Sequence, residues 1–523
     1  MIENLNLIQQ ESYQGKSTMR EHGAANCLPA EGTEEAYVAP VARAPRFSSR
    51  SPRVASVSAS SRVAQPGRHA RAGAARAPRF RSSRCQGAIA WVALFMSWGL
   101  AHGLLPTPLW AAPEIPGAPQ SEPIVLVGAT LHPISGPPIP AGMLLFEEGR
   151  IVALGKTIKL PPRTRRIELK GKHVYPALFD ACTDLGLVEI GSVRGSRDEA
   201  ETGRLNPNVK SWLAINPDSE LIPVTRANGV LLALTAPFGG LLAGQSAVVQ
   251  LDGWTYEEMT LQPSVGMHVN WPRADRAADG ADAARARDRA LEPLREALDH
   301  ARAYRLAKQH AETSPPALDL RWESMQPLLD RQLPLIVHAN ELAAIQDAVA
   351  FANAQKLRLI IHGGYDAPLC ARLLVEQDVP VIVEGVYRLP QRRSDPYDMA
   401  YTVPARLRDA GVRFCIAGAG RGGASNARNL PYHAAMAAAF GLTPDEALQA
   451  ITLAPAQILG VADRVGSLEV GKHATLMITD GNPLETFTQV EACYIAGREV
   501  DLNSRHKRLY DKYRTKYQRL APE

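Results

Sequence analysis

Two short stretches near the middle of the chain, Leu333-Pro-Leu-Ile-Val-His338 and Leu357-Arg-Leu-Ile-Ile-His362, constrain the fold more than any others. Each is a compact apolar run, rich in β-branched residues, that ends in a histidine. Between them Leu342, Ile345, Val349 and Ala352 recur at helical spacing. Strand, helix and strand with so little linker form a βαβ unit, whose right-handed crossover returns the second strand parallel to the first. Both strands then finish on one edge of a sheet, about 5 Å apart if they are neighbours. The carboxyl ends of parallel strands are where an α/β protein, open or barrel, places its chemistry. His338 and His362 are therefore the first candidate site residues.

The surrounding pattern extends this unit. Gly229–Leu234, Ala247–Leu251, Val379–Val383 and Val412–Ala417 read as unbroken apolar strands, as buried parallel strands do. Asp282–His310 is a long helical stretch with Pro293 inside it, and Thr443 caps a helix beginning at Pro444. Shorter β patterns lie outside this centre: Ile124–Val127, a hairpin from Met143 to Leu154, Arg166–Leu169 and His173–Tyr175, then Ala474–Thr479 and Val490–Ile495. This predicts a β-sandwich built from residues 124–175 and 463–500, around an α/β barrel over 176–462. The tail, 501–523, places Leu509, Tyr510, Tyr513, Tyr517 and Leu520 at helical spacing among Lys and Arg. It reads as an amphipathic helix packed on the body, with membrane contact as the alternative.

Charge is unevenly spread. Residues 1–84 hold 13 Lys/Arg and 6 Asp/Glu; of the chain's 58 basic and 53 acidic residues, 45 and 47 remain elsewhere. The body is thus close to neutral, and its charge gives no footprint for nucleic acid. The Arg/Ser/Ala/Pro-rich leader cannot bury enough apolar surface to offset its ordering entropy, and disorder is expected there. Within 88–112, Ala88–Leu105 is almost wholly apolar, with arginines on its amino side. That layout is one of a secretory signal or an uncleaved membrane anchor, and it implies an exported, periplasmic or membrane-anchored protein. The six cysteines form no C-x-x-C pair, which argues against a zinc ribbon or a dithiol redox site; buried free thiols are expected.

Several stretches, in order, resemble the amidohydrolase superfamily, in particular its imidazolonepropionase-like and dihydroorotase-like branches. They are Gly149-Arg-Ile-Val-Ala-Leu-Gly155, Val174-Tyr-Pro-Ala-Leu-Phe-Asp-Ala181, Gly441–Leu448, Thr452–Gly460, Val465–Leu476 and Asp480-Gly-Asn-Pro-Leu484. The resemblance spans residues 124–500. It implies a (β/α)8 TIM-like barrel with a β-sandwich made from both chain ends. It also implies a divalent metal, usually zinc, that activates water against a non-peptide carbon–nitrogen bond of a small molecule, such as a cyclic amide or an imide.

In that family the ligands are a His-x-His on the first strand, one His each on the fifth and sixth, an Asp on the eighth and sometimes a bridging Lys or Glu. His338 and His362 match the fifth and sixth strands. The first-strand histidines are replaced by Cys182 and Asp184 in Asp180-Ala-Cys-Thr-Asp-Leu-Gly186, and the eighth-strand carboxylate is lost at Ala417-Gly-Ala419. The resemblance thus assigns the metal to His338, His362 and Asp184. Asp184 can instead be a carboxylate paired with an arginine such as Arg226, and Cys182 a small buried thiol. Glu384, just past a strand, can face the same mouth as acid or base; no catalytic residue is assigned. His268 and His433 read as structural. The dense polar stretch Arg194–Ala200 can line a pocket, whereas Gly239–Ser246 lacks the lysine of a phosphate loop. The competing reading is a catalytically inactive relative that uses the barrel mouth to bind a ligand or protein.

Overall fold

The computed structural model describes residues 115–272, 280–310 and 316–520. The leader over 1–84 and the apolar run of 88–112 lie outside them. Among the described residues no helix is long and apolar enough to cross a membrane.

The first sheet is assembled from both ends of the body. Strands β1 (Ile124–Leu131), β2 (Ile139–Glu147), β3 (Arg150–Gly155), β4 (Arg165–Glu168) and β5 (His173–Pro176) come from the amino end. The second sheet follows in β6 (Leu178–Thr183), β7 (Val230–Thr235), β8 (Leu242–Gln250), β9 (Thr260–Asn270), β10 (Leu335–Ala339), β11 (Leu359–Gly363), β12 (Val381–Val383) and β13 (Phe414–Ile416). Finally β14 (Leu476–Thr479), β15 (Val490–Ile495) and β16 (Arg498–Val500) return to the first sheet, whose order is β16-β15-β14-β5-β1-β2-β3 with β4 beside β1. Pairing of β14 with β5, Leu476 opposite Pro176, joins the two chain ends as expected.

The second sheet runs β6 to β13 in sequence order. A bridge between Thr183 and Gly420 brings its first strand to the loop after its last, so the eight strands form a nearly closed barrel. One feature departs from a strict (β/α)8 pattern: β8 is antiparallel to both β7 and β9. The connections around it are too short for the crossover helix that a parallel return requires. From β9 onward every pairing is parallel.

Alternation along the strands separates two layers. Leu335, Val337, Leu359 and Ile361 pack outward with Leu294, Leu298, Ile345 and Val349 of the covering helices. Ile336 and Ile360 pack inward with Phe179, Ile382 and Cys415. His338 and His362 share the parity of Ile336 and Ile360, so both point to the barrel interior. The long helix spans Gly280–His310 and contains Pro293. Cys182, Cys370, Cys415 and Cys493 are buried free thiols.

The tail corrects an expectation. Arg505–Leu520 is helical but has no buried residue, and every position from Leu509 to Leu520 is exposed. Arg508, paired with Glu220, and His506, near Arg428, attach only its first turn.

Candidate active site

His338 and His362 lie directly opposite each other on β10 and β11. Their ring centroids are 4.5 Å apart at an interplanar angle of 61°. The βαβ unit therefore does what its sequence promises, bringing two imidazoles together at the carboxyl ends of adjacent strands. A third ring, missed at the sequence level, joins them: His268 Nδ1 lies 2.9 Å from His338 Nε2. Phe238 meets the His338 ring edge-on at 5.4 Å. Burial, and then the neighbouring imidazole, push His268 and His338 well below the ordinary imidazole range. His362 is lowered to about 3 by burial, His268 and Arg388. All three rings are neutral at pH 7.

Glu384 follows β12 directly and reaches the same mouth. A cavity of about 410 Å³ is lined by His338, His362, Glu384, Arg421, Asn270 and Gln391, among others. Arg388 donates to Glu384 Oε2 at 3.3 Å and to Asn340 Oδ1 at 3.2 Å, and its guanidinium lies 5.3 Å from the Tyr365 ring centre. The loops after β10, β11 and β12 are thereby cross-tied. Asn340 Oδ1 also accepts from Tyr365 N–H, and Asp366 caps the helix beginning at Leu342 while pairing with Arg392. Gly420 (φ +63°) backs onto Glu384 and His362. A Cβ there would sit 2.9 Å from Glu384 Oε1 and 3.3 Å from His362 Cε1, so only glycine leaves both groups room.

Asp184 is not among the residues that line this cavity. Its carboxylate accepts N–H groups from Gly422 and Ala424 (2.9 Å for the latter), pinning the loop after β13 to the end of β6. Neither does it pair with Arg226, which instead contacts Asp252. Burial raises the Cys182 thiol well above its usual range, and the side chain packs in the barrel core. The polar stretch after β6 does reach the mouth: buried Glu199 pairs with Arg197, and its Oε1 is 3.7 Å from the cavity-lining Arg421. His433 is buried in its helix, 4.8 Å from the Tyr387 ring.

The fit of a divalent ion can be judged from these donors. The His268 contact occupies His338 Nε2 and leaves Nδ1 as the other ring nitrogen, while buried His362 Nε2 has no hydrogen-bond partner. Buried His268 Nε2 is likewise without a partner, and the tautomer of each ring decides which nitrogen offers a lone pair. A catalytic zinc site takes three protein ligands, yet among the described residues no three His, Cys, Asp or Glu side chains gather to hold an ion. The family's metal does not fit this donor set.

Asp180 presents a separate problem of burial. Its Oδ1 accepts from Gly418 N–H at 2.9 Å, whereas buried Oδ2 has no partner. Burial raises its pKa to about 7 despite that hydrogen bond. A carboxyl held protonated in the folded state stabilises it fully below the unfolded value near 3.8, and that stability is lost as pH rises through about 7. We expect unfolding free energy to fall across this window with a slope of up to roughly 1.4 kcal/mol per pH unit from this group. Urea titrations between pH 4 and 7 check it: Asp180→Asn should flatten the dependence, and an unchanged slope would refute the assignment.

An α/β barrel with a convergent polar mouth at its strand ends, beside a β-sandwich from both ends of the body, is the amidohydrolase type of fold. Comparison with known proteins agrees. The Amidohydrolase family model matches residues 324–497. Imidazolonepropionase of Symbiobacterium thermophilum is 26% identical over 384 residues, 65% of this chain and 84% of that protein. Imidazolonepropionase of Mesorhizobium japonicum is 31% identical over 150 residues, 28% of this chain; that match spans only 35% of its own length. In fold, the chain superimposes on an amidohydrolase from Thermotoga maritima with a TM-score of 0.64, at 24% identity, covering 72% of this chain and 99% of that one. Over residues 324–497 the chain is similar to the amidohydrolase family, and its fold is the one that the Thermotoga amidohydrolase has.

Proposed function

We propose that the chain is a hydrolase of non-peptide carbon–nitrogen bonds in small cyclic amides or imides, acting in the cavity above His338 and His362. The observation that carries this reading is the convergence of Glu384, the paired imidazoles and Arg421 on one cavity at the carboxyl ends of the barrel strands. Similarity to the amidohydrolase family model over residues 324–497 supports it.

The chemistry follows from the chain's own groups. Glu384 is the carboxylate facing the cavity, and Arg388 fixes its orientation through a charge-assisted hydrogen bond. It takes a proton from water as the oxygen attacks the carbonyl carbon, and returns that proton to the leaving nitrogen as the C–N bond breaks. Arg421, on the cavity wall, offers positive charge to the developing oxyanion. The neutral imidazoles present hydrogen-bonding edges to a polar ring without setting a buried charge against it.

Superfamily members typically depend on a divalent metal, usually zinc, but among the described residues no three His, Cys, Asp or Glu side chains are placed to hold one. Elemental analysis of the purified chain should therefore give well under one equivalent of zinc or any other divalent ion, with turnover of a cyclic amide or imide unaffected by chelator. A stoichiometric ion lost in His338→Ala would restore metal-activated water to the mechanism and reassign both histidines as ligands. No turnover across cyclic amides and imides, with saturable binding of one of them at this mouth, would replace the hydrolase reading by a binding one.

A further inference from the structure

We infer that the carboxy-terminal helix, Arg505–Leu520, lies on an anionic phospholipid surface. The helix carries seven Lys/Arg residues against one acid, Asp511. At 3.6 residues per turn, Leu509, Tyr510, Tyr513, Tyr517 and Leu520 fall within a sector of roughly 100°. Lys512, Lys516 and Arg519 border that sector on one side and Lys507 and Arg514 on the other, with Asp511 on the opposite face.

Nothing among the described residues covers this stripe: Tyr510, Tyr517 and Leu520 are 64%, 66% and 66% exposed. The tyrosine rings do meet cations of their own helix, Arg514 over Tyr510, Lys512 over Tyr513 and Lys516 over Tyr517, but such exposed contacts leave the apolar stripe facing water. An apolar and aromatic stripe with cationic borders is what seats a helix at the boundary between headgroups and acyl chains. The three tyrosines suit that depth, each having an apolar ring and a polar hydroxyl.

A second observation, independent of the helix, points the same way. Ile115 and Pro116, where the described chain begins, line one cavity with Pro217, Asp218, Ser219 and Ile222. Glu220, in that same segment, holds Arg508. The amino-terminal linker and the helix thus attach to one flank of the body. In sequence, the apolar run Ala88–Leu105 ends ten residues before Ile115. Charge complementarity favours phospholipid over a second copy of the chain, whose matching helix is equally basic.

Amide hydrogen exchange on the full chain tests the proposal locally, whether or not the apolar run itself attaches to lipid. With phosphatidylglycerol vesicles, amides of Lys507–Arg519 should exchange about tenfold more slowly or better, because lipid suppresses fraying of a helix fixed only at its first turn. Phosphatidylcholine vesicles should leave them unprotected. Charge reversal in Lys512→Glu/Arg514→Glu/Lys516→Glu, and separately Tyr510→Ser/Tyr513→Ser/Tyr517→Ser, should abolish the protection while exchange in the barrel strands stays unchanged. Absence of protection by phosphatidylglycerol overturns the proposal, as does equal protection by both lipids. Protection that rises with protein concentration without lipid also overturns it, and would assign the stripe to self-association.

Discussion

Glu384→Gln should lower kcat/KM for a cyclic amide or imide by about 10²- to 10⁴-fold, the range for loss of a positioned acid–base group. The amide keeps the shape of the side chain and still accepts from Arg388, so the loss should fall on kcat, with KM nearly unchanged. Glu384→Ala provides the sharper arm. It opens space beside Gly420, whose missing Cβ already leaves Oε1 uncrowded, and added formate should restore part of the rate. Rescue in the alanine variant and none in the glutamine variant would mark Glu384 as the group that moves the proton. If both variants keep full activity, water is activated by some other group and the mechanism fails at its first step. Folding is a minor concern here, since Glu384 is partly exposed and pairs with Arg388 at the long distance of 3.3 Å.

The central βαβ unit was legible because two signals coincide in it: unbroken apolar runs of strand length, and helical spacing between them. The same logic identified the β strands at both chain ends. The reversed strand β8 was not legible, because apolar runs do not report direction and the short connections beside it carry no helix period. β9 was hidden for another reason. Pro263 and Gly266 interrupt it, and only the alternation of Met267 and Val269 around His268 marks a strand. His268, the partner of His338, was therefore read as structural.

Asp184 illustrates a different limit. Its partners are backbone N–H groups at Gly422 and Ala424, 238 and 240 residues away, and no side-chain pattern announces a backbone donor. In the carboxy-terminal helix the period was legible, but whether the body covers its apolar face is decided by tertiary contacts that the helix itself does not encode.

The largest effect on stability should come from Asp252→Ala. Arg226 and Asp252 are each only 3% exposed, with Nη1 of the arginine 2.8 Å from Oδ1 of the aspartate and 3.0 Å from Leu251 O. Asp252 also accepts Gly117 N–H at 3.1 Å and lies 3.6 Å from Arg498, so one carboxylate ties the start of the body, the end of β8 and β16 together. Arg226 Nε and Nη2 have no hydrogen-bond partners, which leaves the aspartate as the main compensation for a buried cation. Removing it should destabilise the fold by about 3–5 kcal/mol, read as a fall in the urea midpoint. The attraction within the pair does not set that figure; it is mostly the cost of an uncompensated guanidinium in a low-dielectric interior. Consequently Arg226→Met/Asp252→Leu should recover most of the loss, because an apolar pair of similar volume carries no charge to desolvate. A double variant as unstable as the sum of the two single ones would refute this account, and would show that the hydrogen bonds to Leu251 and Gly117, not the ion pair, hold this junction.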